Sequence, residues 1–298
     1  FKEQMRKFIN TLISFFFPII IIVFVLIFLD KSNEDIKIEI LNNLSIENTI
    51  IIMGDSKPLV DLDYTILKQE FNNYSIINLS LWARNPQYVY SVYKNIFENK
   101  HINNSIIIYN LTFRHILNRS NNIYKEKTLI IDKSSINNSI KTLLNRRYSF
   151  EYKNDKNGFI QLKGQKFGSI KDGQVFYNDL QSNYEPNFQY QLSYVDSIRN
   201  LFNSTNKFII SEFPHDKLID SIYQNTEYYE MYQKDVKDKF ENKLYFGYMK
   251  ELDSSKYWYN RDHLNVNGAK FFTPIFSNIL KEYIKVRTHN NVYNSLVE

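Results

Sequence analysis

The sequence contains no cysteine and only seven glycines and two tryptophans. Without thiols the chain can form no disulfide, no zinc–thiolate site and no cysteine nucleophile. Because glycine is scarce, each one marks a place where the backbone needs its conformational freedom. No dense run of basic residues accompanies the net charge of +5, so the charge does not indicate a nucleic-acid-binding protein.

Hydrophobic residues make up 43% of the 298-residue chain, which is enough for a packed core and argues against wholesale disorder. The length allows one large domain or two small ones.

An uncharged apolar run near the N-terminus extends from Phe8 to Leu29. Its 22 residues, at about 1.5 Å each, cover the roughly 30 Å hydrocarbon core of a bilayer. Basic residues precede the run, so the positive-inside rule places residues 1–7 in the cytoplasm and everything after residue 30 outside the cell membrane. We predict a single-pass transmembrane anchor at 8–29. The alternative, a cleaved signal peptide, is disfavoured by the length of the run and the lack of a small-x-small site.

After a polar tether at 30–47, strand and helix patterns alternate. Apolar, β-branched runs predict strands at 49–53, 74–81, 104–111, 207–213 and 243–249. Helical patterns follow at 59–71, 86–99, 190–205, 215–239 and 267–286. This alternation predicts a three-layer α/β domain at 48–290 with a central parallel sheet. An insertion at about 113–190, rich in Asn, Lys, Tyr and Ser, is either a lid or a docking surface.

The first predicted strand ends in Gly54-Asp55-Ser56, followed by Pro58. These residue types suit a helix cap and an ordinary strand-to-helix turn. The same turn also places Ser56 at the carboxyl edge of a parallel sheet, where ligands bind. A serine there becomes a nucleophile only if a base, usually histidine, lies within hydrogen-bond reach.

Two blocks, MGDSKP at 53–58 and DHLNVNGA at 262–269, resemble the first and last motifs of the SGNH (GDSL-type) hydrolase superfamily. The likeness is greatest to membrane-anchored bacterial members related to the alginate and D-alanyl-lipoteichoic acid acyl-transfer proteins. It covers about 48–112 and 190–286, and it implies an SGNH-like fold.

The resemblance implies that Ser56 is the nucleophile and His263 the base. The family's acid stands three residues before the histidine, where this chain has Asn260. Either Asp262 takes over that role, or the site is a Ser–His dyad with Asn260 orienting the imidazole. The family's oxyanion donors after the second and third strands map to the backbone N–H of Ser80 or Leu81 and to Asn110, and the glycine of the family's second block is missing here. The backbone N–H of Ser56 is expected to be a further oxyanion donor.

Three further residues follow the strands at the same sheet edge. Trp82 and Arg84 are candidate sugar or anion contacts, with packing and solvated charge as the simpler interpretations. His215 is either a substrate contact or a surface histidine. Asn265 and Gly268 are expected to form the turn into the last helix. The remaining histidines have no ligand spacing, so we predict no metal and no cofactor.

Together these features predict an extracytoplasmic serine esterase or O-acyltransferase that acts on acyl groups, acetyl above all, of envelope or exported polysaccharide. A transferase would need a multi-span membrane acyltransferase as partner, which the resemblance alone implies. The rival hypothesis is a non-catalytic SGNH-like scaffold or binding subunit of an envelope complex, which Asn260 and the missing glycine favour.

Overall fold

The computed structural model describes residues 2–29, 33–43, 47–82, 84–100, 102–116, 155–162 and 188–294. Its centre is a five-stranded parallel sheet in the order β2-β1-β3-β4-β5. The strands are β1 (Thr49–Gly54), β2 (Ser75–Asn78), β3 (Ile106–Asn110), β4 (Lys207–Glu212) and β5 (Lys243–Tyr245). The predicted α/β class with a central parallel sheet is therefore confirmed.

Helices connect the strands and also precede and follow the sheet. They are α1 (Lys2–Leu29), α2 (Asn33–Asn42), α3 (Ser56–Val60), α4 (Tyr64–Glu70), α5 (Pro86–Asn99), α6 (Phe113–Ile116), α7 (Phe188–Arg199), α8 (Lys217–Gln224), α9 (Glu227–Lys239) and α10 (Val266–Asn294).

The strands are apolar on both faces because helices cover both. Ile51 of β1 is aligned with Ile77 and Ile107, and these three side chains pack in one core cluster with α5, α7, α8 and α9. The neighbouring Ile50 and Ile52 face the opposite cluster, which α4 and α10 complete. Because both of their faces are buried, these parallel strands have continuous Ile-rich sequences rather than alternating apolar and polar residues.

The predicted helix at 59–71 is two helices in the structure. Asp61 ends α3, and Asp63 begins α4 by accepting a hydrogen bond from the Ile66 N–H at 3.2 Å. Capping by a short acidic side chain thus breaks a segment whose hydrophobic spacing looks continuous. The start of α5 matches its prediction, since Asn85 accepts from the Tyr88 N–H at 2.9 Å and Pro86 follows.

The segment predicted as a tether contains a helix that packs on the domain. In α2, Leu41 is buried, and Lys37 is buried with its ammonium donating to the carbonyl oxygens of Asn78 and Gly158. Burial lowers the pKa of Lys37 to about 7, and Asp155 partly opposes that shift. Residues 33–42 are therefore attached to the domain, although the domain limits themselves stay predictions.

The predicted anchor at 8–29 falls within α1, where the side chains of residues 19–29 lie outside the described residues. In the described part of the chain, no helix is at once long enough and apolar enough to span a membrane. The anchor therefore stays a prediction.

Most of the predicted insertion at 113–190 lies outside the described residues. Its described residues are 113–116 in α6, 188–190 at the start of α7, and the segment 155–162, which packs beside the end of β2 and the start of α10. The Asn78 N–H donates to the Asn157 carbonyl, Ile160 N–H to Leu59, and Val266 N–H to Leu162, each at 2.9 Å. This part of the insertion therefore belongs to the wall of the domain.

Candidate active site

The candidate site lies at the carboxyl edge of the sheet, where β1 ends between β2 and β3. In the order β2-β1-β3-β4-β5 the chain reverses its winding direction between β1 and β3. That reversal leaves a crevice outside the strand ends, which is the place where open parallel sheets bind ligands.

The Gly54-Asp55-Ser56 turn requires both glycine and aspartate. Gly54 has φ +125°, and a Cβ there would lie 2.3 Å from the carbonyl oxygen of Asn110. The Asp55 carboxylate accepts from the Lys57 N–H and the Asn110 side-chain amide, each at 2.9 Å, and from the Thr112 hydroxyl. The turn is thus tied to β3, and it presents Ser56 as the first residue of α3.

Ser56 meets His263 although 207 positions separate them in the chain. Ser56 Oγ lies 2.8 Å from His263 Nε2, and His263 Nδ1 lies 3.1 Å from Asn260 Oδ1. Ser56 is 3% exposed and His263 is 6% exposed. The structure therefore brings together the two blocks singled out in the sequence and orders them as serine, imidazole and amide.

Asn260 holds its place because its Oδ1 accepts three N–H groups. Besides the imidazole, the backbone N–H of Asp262 donates to it at 2.9 Å and that of His263 at 2.8 Å. Two backbone donors aim the carbonyl end of the amide at the ring, so Nδ1 carries the proton and Nε2 is left to accept from Ser56. Of the two alternatives for the third residue, the geometry matches Asn260.

The Asp262 carboxylate points to two cations. Its Oδ1 lies 3.2 Å from Lys57 Nζ, and its Oδ2 lies 3.7 Å from a guanidinium nitrogen of Arg114. Asp262 therefore contributes to the site through Lys57 and Arg114.

Lys57 is a residue of the site that the sequence reasoning missed. It is 2% exposed, and its ammonium also donates to the carbonyl oxygens of Pro214 at 2.7 Å and Asp262 at 2.6 Å. Burial lowers the pKa of Lys57, but the carboxylates of Asp262, Asp61 and Asp55 overcome that effect and raise it above its usual value. The only sequence signal was a lysine directly after the candidate nucleophile.

Asp61, at the end of α3, is a second buried group beside the histidine. Its Oδ1 accepts from the Leu264 N–H at 2.8 Å, whereas its buried Oδ2 has no hydrogen-bond partner among the described residues. Burial raises the pKa of Asp61 well above the usual range. The charge of Lys57 and the hydrogen bond from the Leu264 N–H oppose that shift.

Three of the four predicted oxyanion donors make hydrogen bonds inside the protein. The Ser80 N–H donates to Asn78 Oδ1 at 3.0 Å, and the Leu81 N–H donates to the Gly54 carbonyl at 3.0 Å. Asn110 bridges Asp55 and the Phe213 N–H, which donates to its Oδ1 at 3.0 Å. The bonds of Leu81 and Asn110 join the ends of different strands, whereas the Ser80 bond stays within the turn after β2. The Ser56 N–H, at the first position of α3, remains a candidate donor.

Trp82 and Arg84 have separate roles in the structure. The Trp82 indole stacks on the His263 imidazole with ring centroids 5.1 Å apart and planes 12° apart. Arg84 pairs with Glu34 of α2 at 3.1 Å and lies 4.1 Å above the Tyr88 ring. Trp82 therefore belongs to the site, whereas Arg84 joins α2 to the domain.

His215 is buried rather than on the surface, with 2% of its area exposed. Its Nε2 lies 3.0 Å from Asp220 Oδ1, and burial together with the charge of Lys57 lowers its pKa to about 4. The predicted surface position is therefore wrong, and the substrate contact stays a prediction.

The turn into the last helix has the predicted residues. Asn265 Oδ1 accepts from the N–H groups of Asn267 and Gly268 at 2.9 and 3.1 Å. A Cβ on Gly268 would lie 2.1 Å from the Tyr257 carbonyl oxygen, so the close approach of that loop requires glycine. The turn fixes where the His263 loop enters α10.

Among the described residues, no group of three or more histidine, aspartate or glutamate side chains is arranged to hold a metal ion. His101 and the side chains of His115 and His289 lie outside the described part. In comparisons with known proteins, no family model matches the chain, and no curated protein shows a significant match to it.

Proposed function

We propose that this chain is a serine-dependent esterase or O-acyltransferase of the SGNH (GDSL-type) kind, with Ser56 as nucleophile and His263 as base. The observation that carries the proposal is the 2.8 Å contact between Ser56 Oγ and His263 Nε2, with Asn260 Oδ1 3.1 Å from the other ring nitrogen. Nucleophile, base and orienting group in hydrogen-bond reach of each other are the arrangement that activates a serine hydroxyl.

Acylation begins when Ser56 Oγ attacks the carbonyl carbon of an ester while its proton passes to His263 Nε2. The tetrahedral oxyanion then collapses, the bond to the alcohol oxygen breaks, and the imidazolium returns the proton to that oxygen. Asn260 Oδ1 accepts the Nδ1–H throughout and stabilises the imidazolium by a charge-assisted hydrogen bond.

In the second half, water or a sugar hydroxyl attacks the acyl-Ser56 ester. Its proton passes to His263, the carbonyl–Oγ bond breaks, and Ser56 recovers its proton. Water makes the enzyme an esterase, and a sugar hydroxyl makes it an O-acyltransferase. For the oxyanion we assign the Ser56 N–H, because the N–H groups of Ser80 and Leu81 donate to internal acceptors.

The substrate class and location in this proposal rest on the sequence. The uncharged run at 8–29 supports an anchor with the domain outside the cell membrane, where acylated envelope or exported polysaccharide is found. Acyl transfer there requires a donor delivered across the membrane, so a multi-span acyltransferase is the proposed partner.

Two observations support a second candidate, a non-catalytic scaffold or binding subunit of an envelope complex. The residue that orients the imidazole is an uncharged amide, and the backbone donors expected for the oxyanion are engaged within the domain. A scaffold retains the fold and the Ser56–His263 contact without turnover.

Labelling with a fluorophosphonate probe distinguishes the two candidates. We would use the full chain in detergent, with Ser56→Ala and His263→Ala as test variants and the exposed Ser193→Ala as matched control. Loss of one member of a Ser–His pair typically lowers the rate about 10⁴–10⁶-fold. Labelling that the test variants abolish and the control retains supports the enzyme, whereas an unlabelled, folded wild type refutes it.

Acetylated sugars, with and without a second sugar as acceptor, then separate the two enzyme types. Release of acetate alone indicates an esterase, and acetyl transfer that depends on the acceptor indicates a transferase.

A further inference from the structure

The short helix α3 carries the candidate nucleophile, and its residues also bind both chain neighbours of His263. Lys57, next to Ser56, binds Asp262, and Asp61 at the helix end binds the N–H of Leu264. His263 lies between these two attachment points. The same short helix therefore contacts the His263 loop on both sides of the histidine and also carries Ser56.

All three ammonium protons of Lys57 have acceptors within reach. These are the Pro214 carbonyl at 2.7 Å, the Asp262 carbonyl at 2.6 Å and Asp262 Oδ1 at 3.2 Å. Lys57 thus joins α3, the segment after β4 and the His263 loop. A buried ammonium is costly to desolvate, and it persists where its hydrogen bonds and a counter-charge offset that cost.

The charge of Lys57 also bears on the neighbouring imidazole. Asp262 is adjacent to His263 in the chain, and an unbalanced carboxylate there would stabilise the imidazolium and raise the pKa of the base. Paired with Lys57, the carboxylate keeps its negative charge but is balanced. The orienting partner, Asn260, adds no charge.

We propose that Lys57 is a positioning residue for the acyl-transfer reaction, which holds the His263 loop against Ser56 and balances Asp262 so that the imidazole stays a neutral base. The proposal rests on the proposed function for its role in catalysis, but its electrostatic part can be measured without turnover. It also assigns Asp262 a role, as the anionic partner of Lys57.

Several charged or titratable groups lie on the elements around His263 and contribute to the electrostatic potential at its ring. On α3 and its two caps they are Asp55, Lys57 and Asp61; on α6, Arg114; at the end of β4, Glu212; on the segment after β4, His215 and Asp216; on its own loop, Arg261 and Asp262. Arg261 is paired with Asp216 at 2.9 Å. Loss of Lys57 or of Asp262 alone therefore changes the charge next to the imidazole, whereas loss of both does not.

The test is an NMR titration of His263 in the full chain in detergent, with the five histidines labelled at Cε1 and the His263 signal assigned from its loss in His263→Asn. Lys57→Met should raise the pKa of His263 by about 1 unit, and Asp262→Asn should lower it by about 1 unit. The double variant should return to within about 0.3 unit of the wild type if the two residues act as a pair.

Lys37→Met is the matched control, because Lys37 is also a buried lysine that donates to two backbone carbonyls. It should lower the melting temperature as Lys57→Met does but leave the His263 titration unchanged. If Lys57→Met does not fold, Asp262→Asn alone still tests the sign of the shift.

Shifts of the same sign in the two single variants, no shift, or an equal shift in Lys37→Met would overturn the proposal. Fluorophosphonate labelling of the same samples separates this outcome from failure of the proposed function. An unlabelled wild type with the expected opposite shifts would refute acyl chemistry and support the charge balance, and labelling without those shifts would do the reverse.

Discussion

Replacement of Asn260 tests most directly how this site orients its base. The side-chain oxygen of Asn260 accepts from the His263 Nδ1 and from two backbone N–H groups, those of Asp262 and His263. Asn260→Ala removes all three bonds, whereas Asn260→Asp retains them and adds a negative charge. The first substitution therefore weakens the orientation of the imidazole, and the second strengthens it.

The expected change in labelling rate follows from the hydrogen bond between His263 and Asn260, which strengthens during the reaction. When Ser56 gives up its proton, His263 becomes an imidazolium, and a hydrogen bond to a charged group contributes about 1.5–3 kcal/mol. At about 1.36 kcal/mol per tenfold change, Asn260→Ala should slow serine labelling about 10- to 100-fold. Asn260→Asp should speed it about tenfold and raise the pKa of His263 by about 1 unit or more, because a carboxylate stabilises the imidazolium.

The assay is the second-order rate of fluorophosphonate labelling between about pH 5 and pH 9, a range that brackets the ordinary histidine pKa of about 6.5. Because only the neutral imidazole accepts the serine proton, a raised pKa moves the acidic fall in rate to higher pH in Asn260→Asp. Melting temperatures show whether each variant is folded. At the alkaline end of the range, where the imidazole is neutral, an Asn260→Ala rate equal to that of the wild type, or an Asn260→Asp rate below it, would refute the assignment of Asn260 as the orienting residue.

Three further predictions concern the surroundings of the site. Trp82→Ala removes the ring stacked on His263, a contact of about 0.5–1.5 kcal/mol, so labelling should slow up to about tenfold while Trp82→Phe stays near the wild-type rate; equal rates in the two variants would exclude the stacking effect. Gly54→Ala should lower the free energy of unfolding by about 2–5 kcal/mol in urea titrations, because its Cβ would overlap the Asn110 carbonyl and its φ is +125°; an unchanged midpoint would contradict this. Burial raises the pKa of Glu212 to about 8 from about 4.5 in the unfolded chain, so its contribution to stability is complete below about pH 4.5 and is lost as the pH rises to about 8. Glu212→Gln should flatten that slope in melting temperatures taken across the range, and an unaltered slope would show that another group is responsible.

Local sequence signals were sufficient for the buried strands and for the start of α5. Ile50–Ile52 and Ile106–Ile108 lie in buried parallel strands, as their unbroken β-branched runs predicted. The Asn85–Pro86 pair begins α5 as its capping chemistry predicted. These features depend on neighbours along the chain, so a single sequence contains the information for them.

Signals that depend on burial were harder to interpret. The sequence at 30–47 is polar, yet Lys37 lies buried in α2 because its ammonium meets two backbone carbonyls supplied by distant segments. His215 looked like a surface histidine and is buried against Asp220, five residues further along the chain. Charge and polarity in a sequence do not show whether a partner is present in space.

The candidate site also has some features that depend on neighbours along the chain and others that depend on tertiary packing. The sequence determined that a serine follows the turn after the first strand and that a histidine precedes the last helix. Glycine, aspartate and asparagine favour turns through their own local conformation and hydrogen bonds, so both turns could be predicted along the chain. Whether Asn260 or Asp262 faces the imidazole could not be decided along the chain, since both are near His263. The decision came from Lys57, which reaches from α3 to Asp262 and draws that carboxylate away, while two backbone N–H groups aim Asn260 at the ring. Only the packed tertiary structure places that ammonium there, because the contact joins residues 205 positions apart.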